Sequence, residues 1–246
     1  MKKILVTIFL VALASGIANA QQKKIRAVDN FADITAAIGS SQGTGSLGYV
    51  YNWKVGKRKR WELGLGARFT TYFGSNLYYR TAPAKLTSGK TDPTVLFSND
   101  IDANIDSVLF PKSQVNSFNL SLNFGYNFSK KFSAGLSIDA VGFSFGKKQG
   151  GIYYGNNFAT GVATTAKPTS FNLLLISDND KGSLNSELFG RYKWNDSWGV
   201  KLGVQFFFAE YTTDKEVQTT PGGDKNDRFR KKMVGGELGV TYNFKK

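Results

Sequence analysis

Near the end of the chain, apolar residues alternate with small or polar ones without a break. Leu238, Val240, Tyr242 and Phe244 share one parity, and Gly239, Thr241 and Asn243 share the other. Successive side chains of a strand point to opposite faces, so this stretch predicts a strand with one apolar face. The period recurs along the chain. Ile34, Ala36 and Ile38 predict a strand over 31–39, and Leu47, Tyr49, Tyr51 and Trp53 one over 44–53. Trp61, Leu63, Leu65, Ala67 and Phe69, opposite Glu62, Gly64, Gly66, Arg68 and Thr70, open a strand that keeps its pattern to Arg80. The cleanest alternation sets Phe118, Leu120, Leu122, Phe124, Tyr126 and Phe128 against Asn119, Ser121, Asn123, Gly125 and Asn127. Phe132, Ala134, Leu136 and Ile138 follow. Beyond Ala140 the apolar set shifts by one residue to Val141, Phe143 and Phe145, which predicts a bulge or an exit from the wall. Strands over 184–194, 198–211 and 229–244 complete the series.

These segments predict four outgoing and four returning strands. Short polar turns (54–60, 129–131, 195–197) fall on one side and long loops (81–113, 147–181, 212–228) on the other. An even strand number with that asymmetry is the pattern of outer-membrane barrels. Closure is then required, because no sheet edge can face lipid. The expected fold is all-β: an eight-stranded antiparallel up-and-down transmembrane β-barrel over 31–246 with three long external loops. The third strand exceeds the roughly 9–11 residues a tilted membrane strand needs, so its hairpin is expected to project outward. Tyr51, Trp53, Trp61, Tyr126, Phe128, Phe132, Tyr192, Trp194, Trp198, Tyr242 and Phe244 cluster at the short-turn ends, and we expect them to form a periplasmic aromatic girdle.

Composition narrows the picture. Lys2 and Lys3, the apolar run 4–14 and Ala18-Asn19-Ala20 read as a signal peptide over 1–20, cleaved before Gln21. The polar segment 21–30 then reads as a periplasmic lead-in. The run is too short to span a bilayer as a helix, and no later stretch approaches the roughly 20 apolar residues that would. The 27 Gly, 20 Phe and 11 Tyr, with mean hydropathy of −0.26, suit strands of which only every second residue meets lipid. Net charge is +14. In an exported protein this points to anionic lipid headgroups or acidic glycans rather than nucleic acid. There is no Cys, hence no disulfide framework or thiolate metal site, and no His.

The leader, the alternation and the closing segment Leu238-x-Val240-x-Tyr242-x-Phe244 resemble those of small Gram-negative outer-membrane β-barrels. The Tyr-Asn-Phe strand endings look like those of barrel proteins of the Bacteroidetes group, which carry no assigned activity. The resemblance implies insertion into the outer membrane by the barrel-assembly machinery, reading Leu238, Val240, Tyr242 and Phe244. That terminal signal usually stops at its aromatic residue, whereas Lys245 and Lys246 follow here. The resemblance implies contact with outer-membrane lipid, including lipopolysaccharide, and no enzymatic activity.

Several candidate sites follow from parity. Glu62, Arg68, Asp139, Glu187, Arg191, Lys193, Lys201 and Glu237 are expected inside. An eight-strand interior is about wide enough for its own side chains, and buried charges must pair, so an ionic plug is the simpler reading. A proton path, ion path or gate is the alternative. Asp139 and Glu187 could be argued as a hydrolytic carboxylate pair, but nothing gives them a substrate-accessible spacing. Barrel enzymes of similar size rely on a His, which this chain lacks, so no catalytic residue is expected. Gly43-Thr44-Gly45-Ser46-Leu47-Gly48 matches a dinucleotide fingerprint literally, but strand-like residues follow where a helix is needed. No cofactor is expected. Asp100, Asp102, Asn104 and Asp106 offer hard oxygens of the kind calcium takes, without the glycine and closing glutamate of a helix–loop–helix site. Lys147, Lys148, Arg228, Arg230, Lys231 and Lys232 are expected at the outer rim, against lipid phosphate or simply solvated. Lys54, Lys57, Arg58, Lys59 and Arg60 fall at the other end.

The function expected is structural or surface-binding, through loops on a rigid scaffold with a filled polar interior. A narrow pore for small or hydrophobic solutes is the first alternative. A secreted, lipocalin-like soluble barrel is the second, and it needs the reverse arrangement, apolar inside and polar outside.

Overall fold

Alternation of the kind just described leaves each strand only one way to face, and the antiparallel ladder follows it. The computed structural model describes residues 28–92, 98–155, 160–175, 179–215 and 217–244. The expected leader and residues 21–27 of the lead-in lie outside them. The strands are β1 (Val28–Gly39), β2 (Gln42–Val55), β3 (Trp61–Thr81), β4 (Ser107–Asn127), β5 (Phe132–Phe145), β6 (Gln149–Tyr154), β7 (Val162–Pro168), β8 (Phe171–Leu173), β9 (Leu184–Lys193), β10 (Trp198–Thr213), β11 (Gln218–Thr219), β12 (Lys225–Asn226) and β13 (Arg228–Asn243). A one-turn helix, α1 (Ala84–Thr87), and a 3₁₀ turn at Asp102–Asn104 lie between β3 and β4.

Two circuits of antiparallel pairing share the long strands. In the first, β1 pairs with β2, β2 with β3, β3 with β4 and β4 with β5. β5 then pairs with β9, β9 with β10 and β10 with β13, which returns to β1. Beyond the β1–β2 tip, a second circuit takes over. β13 meets β3 directly (Phe229 opposite Thr81), and β3 continues beside β4. β4 then meets β6 (Val108 opposite Tyr153), β6 meets β7, and β7 meets β10 (Tyr211 opposite Pro168).

The change of circuit coincides with a change of parity. Along β3 the inward positions are even up to Gly74 and odd from Leu77. Ser75 and Asn76 are both exposed, as are Pro111 and Lys112 on β4. Asn76 takes a left-handed φ of 51°, which a short amide side chain tolerates better than a branched one. Its neighbours pair as Ser75 with Lys112 and Leu77 with Phe110, so Asn76 faces Pro111, which has no N–H to give to a ladder. On β5 the expected bulge is present. Leu120 pairs with Val141 and Ser121 with Asp139, which leaves Ala140 as the extra residue.

The long loops differ from expectation. Residues 107–113 continue β4 rather than joining a loop, 147–181 holds β6, β7 and β8, and 212–228 holds the end of β10 with β11 and β12. β1 starts at Val28, so Asp29 belongs to a strand and not to the lead-in. These pairings are long-range, and the short, Gly- and Thr-rich segments that make them carry little periodicity of their own.

Candidate functional site

The wall turns its apolar side outward. Ile38, Leu47, Leu65, Leu120, Leu188, Leu202 and Leu238 are all more than half exposed. At the short-turn end this face closes with rings in mutual contact. Trp61 meets Tyr126 (4.8 Å between centroids), Tyr126 meets Phe128 (5.0 Å), and Phe128 meets Phe132 (5.4 Å). Around the seam, Trp198 meets Tyr242 and Tyr242 meets Phe244, which reaches Tyr49. Tyr51 contacts Trp53, while Tyr192 and Trp194 stand exposed at the same end.

The inner side is ionic. Arg68 Nη1 donates to Asp139 Oδ1 (3.1 Å), and its Nη2 to Glu187 Oε2 (2.9 Å) and Ser137 Oγ (2.6 Å). Asp139 also accepts from Asn119 Nδ2 (2.8 Å) and the Asn185 amide (3.0 Å). Lys201 Nζ lies 2.6 Å from Glu187, 3.1 Å from Asp33 and 3.3 Å from Glu237, and over the Phe189 ring at 4.5 Å. Gly48 makes room for this. A Cβ there would sit 2.3 Å from Asp33 Oδ1, so the literal dinucleotide motif serves interior packing on β2, with no helix after it. Toward the short-turn end, Asp29 takes Arg191 (3.0 Å) and Lys193 (3.3 Å), and the Arg191 guanidinium lies 3.9 Å from the Phe31 centroid. Glu62 accepts from Asn127 (2.7 Å) and Asn52 (3.1 Å), with Lys54 at 3.9 Å.

All eight residues expected inside therefore lie buried or half-buried and inward, joined by Asp29 and Asp33, which sequence reasoning missed. Asp33 shares the inward parity of Phe31 and Thr35, so the strand period could have found it. Asp139 and Glu187 both belong to Arg68 and present no shared site to solvent.

Above the ions the interior turns apolar. Tyr72, Leu77, Tyr79, Val108, Phe110, Val115, Tyr153, Phe207, Tyr211, Phe229 and Met233 form one buried cluster that runs from the upper end of the first circuit into the second. Tyr72 stacks on Phe207 (5.1 Å), and Tyr79 meets Phe110 (5.1 Å) and Tyr211 (5.4 Å) edge-on. Tyr153 Oη donates to Asp106; burial and that carboxylate both raise the Tyr153 hydroxyl above its ordinary value.

The expected rim cations divide. Arg228 and Arg230 turn onto Glu210, with Arg228 Nε 2.8 Å from Oε1 and Arg230 Nη2 2.8 Å from Oε2, and both guanidinium groups also donate to the Asp180 carbonyl. Their pairing with a buried carboxylate corrects, for these two, the expectation of a rim position against lipid phosphate or in solvent. Burial alone would raise the Glu210 carboxyl, but Arg230 and Arg228 hold it below its ordinary value. Lys148 reaches Asp214 (2.8 Å), and Lys232 lies 5.6 Å from the Phe208 centroid. Lys147 is exposed and Lys231 half-buried.

The oxygen set proposed for calcium does not converge. Asp100 pairs with Arg80 (3.6 Å), Asn104 Nδ2 donates to the Leu86 carbonyl, and Asp106 is committed to Tyr153. Among the described residues, no group of three or more His, Cys, Asp or Glu could hold a metal ion.

No family model matches the chain, and no curated protein matches it. Among solved structures it is similar to neisserial surface protein A, at 9% identity and TM-score 0.35, over 88% of this chain and 96% of that one. It is also similar to a major outer membrane protein from Thermus thermophilus, at 12% identity and TM-score 0.39, over 89% and 100%. Ail, the attachment invasion locus protein of Yersinia pestis, seen with the heparin analogue sucrose octasulfate, gives 7% identity and TM-score 0.36 over 89% and 100%. All three TM-scores lie under 0.5.

Proposed function

We propose that the chain is an outer-membrane β-barrel with a filled interior, whose first circuit is an eight-stranded transmembrane barrel and whose second circuit projects outside the cell. The observation that carries this reading is the inverted wall, with large apolar side chains exposed all round and arginine, lysine and carboxylates buried within. In water such a face would be a continuous aggregation-prone patch, and a lipocalin-like soluble barrel needs the opposite arrangement. In a bilayer it is the lipid-facing band, and the ring contacts at the short-turn end are its interfacial girdle. Membrane-spanning segments then run from the girdle to about Ile38, Phe73, Phe206 and Val234; the apolar cluster begins at their upper ends, and the Glu210 clasp lies above them. Leu238, Val240, Tyr242 and Phe244, outward on the last strand, are what the assembly machinery would read.

The role is structural or surface-binding and not catalytic, in keeping with a chain that has neither His nor Cys. Outer-leaflet lipid is the partner the rim cations favour. Two barriers in series argue against the narrow-pore alternative: paired charges filling the lower interior and stacked aromatics above them. The test is single-channel recording of the refolded, heat-modifiable protein in a planar bilayer, with Glu62→Gln/Arg191→Gln alongside. Silence from both is expected. Discrete channels altered by that variant would move the function to transport.

A further inference from the structure

The passage from eight paired strands to six leaves one built depression in the outer wall. β1 and β2 turn back at Ser40 and Ser41, and the Ser75 amide donates to the Ser41 carbonyl (3.1 Å), tying the tip against β3. Above the tip, pairing between β3 and β13 resumes where Arg80 stands opposite Arg230. Around that level lies a cavity of about 240 Å³, lined by Tyr78, Arg80, Arg230, Lys231 and Lys232, with Thr87, Asp100 and Ile105 beyond them. That is several times the ~30 Å³ share of a water molecule, so it has room for more than solvent bridging. Four cations face one carboxylate in its lining. Asp100 lies 3.6 Å from Arg80, and both side chains are about half exposed or more, at 47% and 60%. Arg230 pairs with Glu210 under the covering segment 179–183. Among the described lining residues, basic side chains outnumber the one carboxylate.

Directly beneath it the wall is apolar. Ile38 is 78% exposed, Val234 60% and Phe73 54%. Val234 is the next outward residue after Lys232 along β13, so one step along the strand crosses from hydrocarbon chemistry to cationic chemistry. A soluble anion would use only the upper half of this surface. An amphiphile would use both halves.

We propose that the notch seats the phosphate of an outer-leaflet lipid, its oxygens against Arg80 and Lys232 and its acyl chain along Ile38, Phe73 and Val234. The inference rests on the membrane-barrel reading above. Arginine presents a planar fork matched to phosphate oxygens, and lysine adds a mobile point charge, so the pair suits a headgroup that arrives by lateral diffusion. Asp100 competes with that phosphate for Arg80 and sets how tightly it is held.

Native mass spectrometry of the full chain, refolded in detergent with equal amounts of phosphatidic acid and phosphatidylcholine, reads this directly. The protein should retain one phosphatidic acid in preference, and Arg80→Gln/Lys232→Gln should weaken that preference by roughly tenfold to thirtyfold, the scale of two cations near a lipid surface. Asp100→Asn should strengthen it. Lys57→Gln/Lys59→Gln, at the opposite end, should leave it unchanged. Added salt should erode the preference of the unmodified protein, which tests the charge term without any substitution. The proposal is overturned if the double variant selects phosphatidic acid as the parent does, or if the preference is indifferent to salt. Displacement of the lipid by equimolar inorganic phosphate would also overturn it, making the ligand a free anion. Insertion is scored separately by heat-dependent mobility. A chain that inserts without lipid preference loses only the lipid seat, whereas one that does not insert loses the barrel reading as well.

Discussion

Arg68 on β3 reaches Glu187 on β9 at 2.9 Å, although β4 and β5 stand between those strands in the ladder. One guanidinium thus ties opposite walls, with Asp139 of β5 on its other nitrogen at 3.1 Å. Arg68 is 5% exposed and both carboxylates are fully buried. Removing one partner of such a set leaves charge uncompensated in a region that water does not reach. Arg68→Met should therefore destabilise the folded protein by roughly 3–5 kcal/mol, measured by urea unfolding in vesicles followed by tryptophan fluorescence. Arg68→Lys keeps the charge but not the fork, and should fall between the two. A loss below about 0.5 kcal/mol for Arg68→Met would show the network to be incidental to stability.

The upper interior holds together differently, by contact between rings. Tyr79 is fully buried and packs edge-on against Phe110 and Tyr211. Tyr79→Ala should cost about 3–5 kcal/mol of local stability through the cavity it leaves. Because Tyr79, Phe110 and Tyr211 lie in the second circuit, the loss should appear as faster amide exchange in β6, β7 and the upper ends of β3 and β4. Exchange in the girdle-side halves of β2, β9 and β10 should stay as it was. Uniform acceleration along the whole chain would mean that the two tiers unfold as one.

That division also marks what could be read from the residues alone. Alternation of period two, as in Phe118 to Phe128, reveals a strand wherever one face is apolar and the other carries small polar groups. It placed the eight long strands, the bulge at Ala140 and the inward charges from Glu62 to Glu237. It failed above the apolar band, where both faces of the wall lose that contrast. Pro111 looked like loop punctuation, yet it sits within β4 at the kink facing Asn76. β6 and β7 depend on partners far along the chain, Tyr153 on Val108 and Ala166 on Thr213, which no local pattern announces. Glu210 has the parity of the outward-facing Phe206, so nothing marked it as buried. Only the fold of 179–183 across the outside of the wall explains it, through the Asp180 carbonyl and the Gly182 amide.

The Glu210 clasp should make that outer segment acid-sensitive. An unfolded carboxyl of this type titrates near 4.5, and Arg230 and Arg228 hold the folded one lower. A depressed carboxylate contributes stability that is fully present above the unfolded value and lost as pH falls through the folded value. Protease cleavage within 169–175 or 179–183 should therefore stay slow down to about pH 5 and accelerate on further acidification to about pH 3. Glu210→Gln should be cut readily at neutral pH and show little change over the same window. A parent protein whose cleavage is flat across that range would remove the clasp from the account of how this segment is held.

Leu202 gives the sharpest test of the medium the wall is built for. It is 59% exposed, pairs with the equally outward Leu238, and lies near the middle of the apolar stretch that runs from Trp198 to Phe206 on β10. On a protein surface facing water, replacing such a leucine by arginine is close to neutral and improves solubility. At the midplane of a bilayer the same change places a cation in hydrocarbon and costs about 2–4 kcal/mol, falling to about 0–1 kcal/mol near the interfaces. Leu202→Arg should accordingly lower the stability of the vesicle-refolded protein by about 2–4 kcal/mol, whereas Val234→Arg, beside Lys232 at the outer edge, should cost under about 1 kcal/mol. Equal small effects at both positions would mean that the exposed leucines face water, and the membrane reading would fall with them.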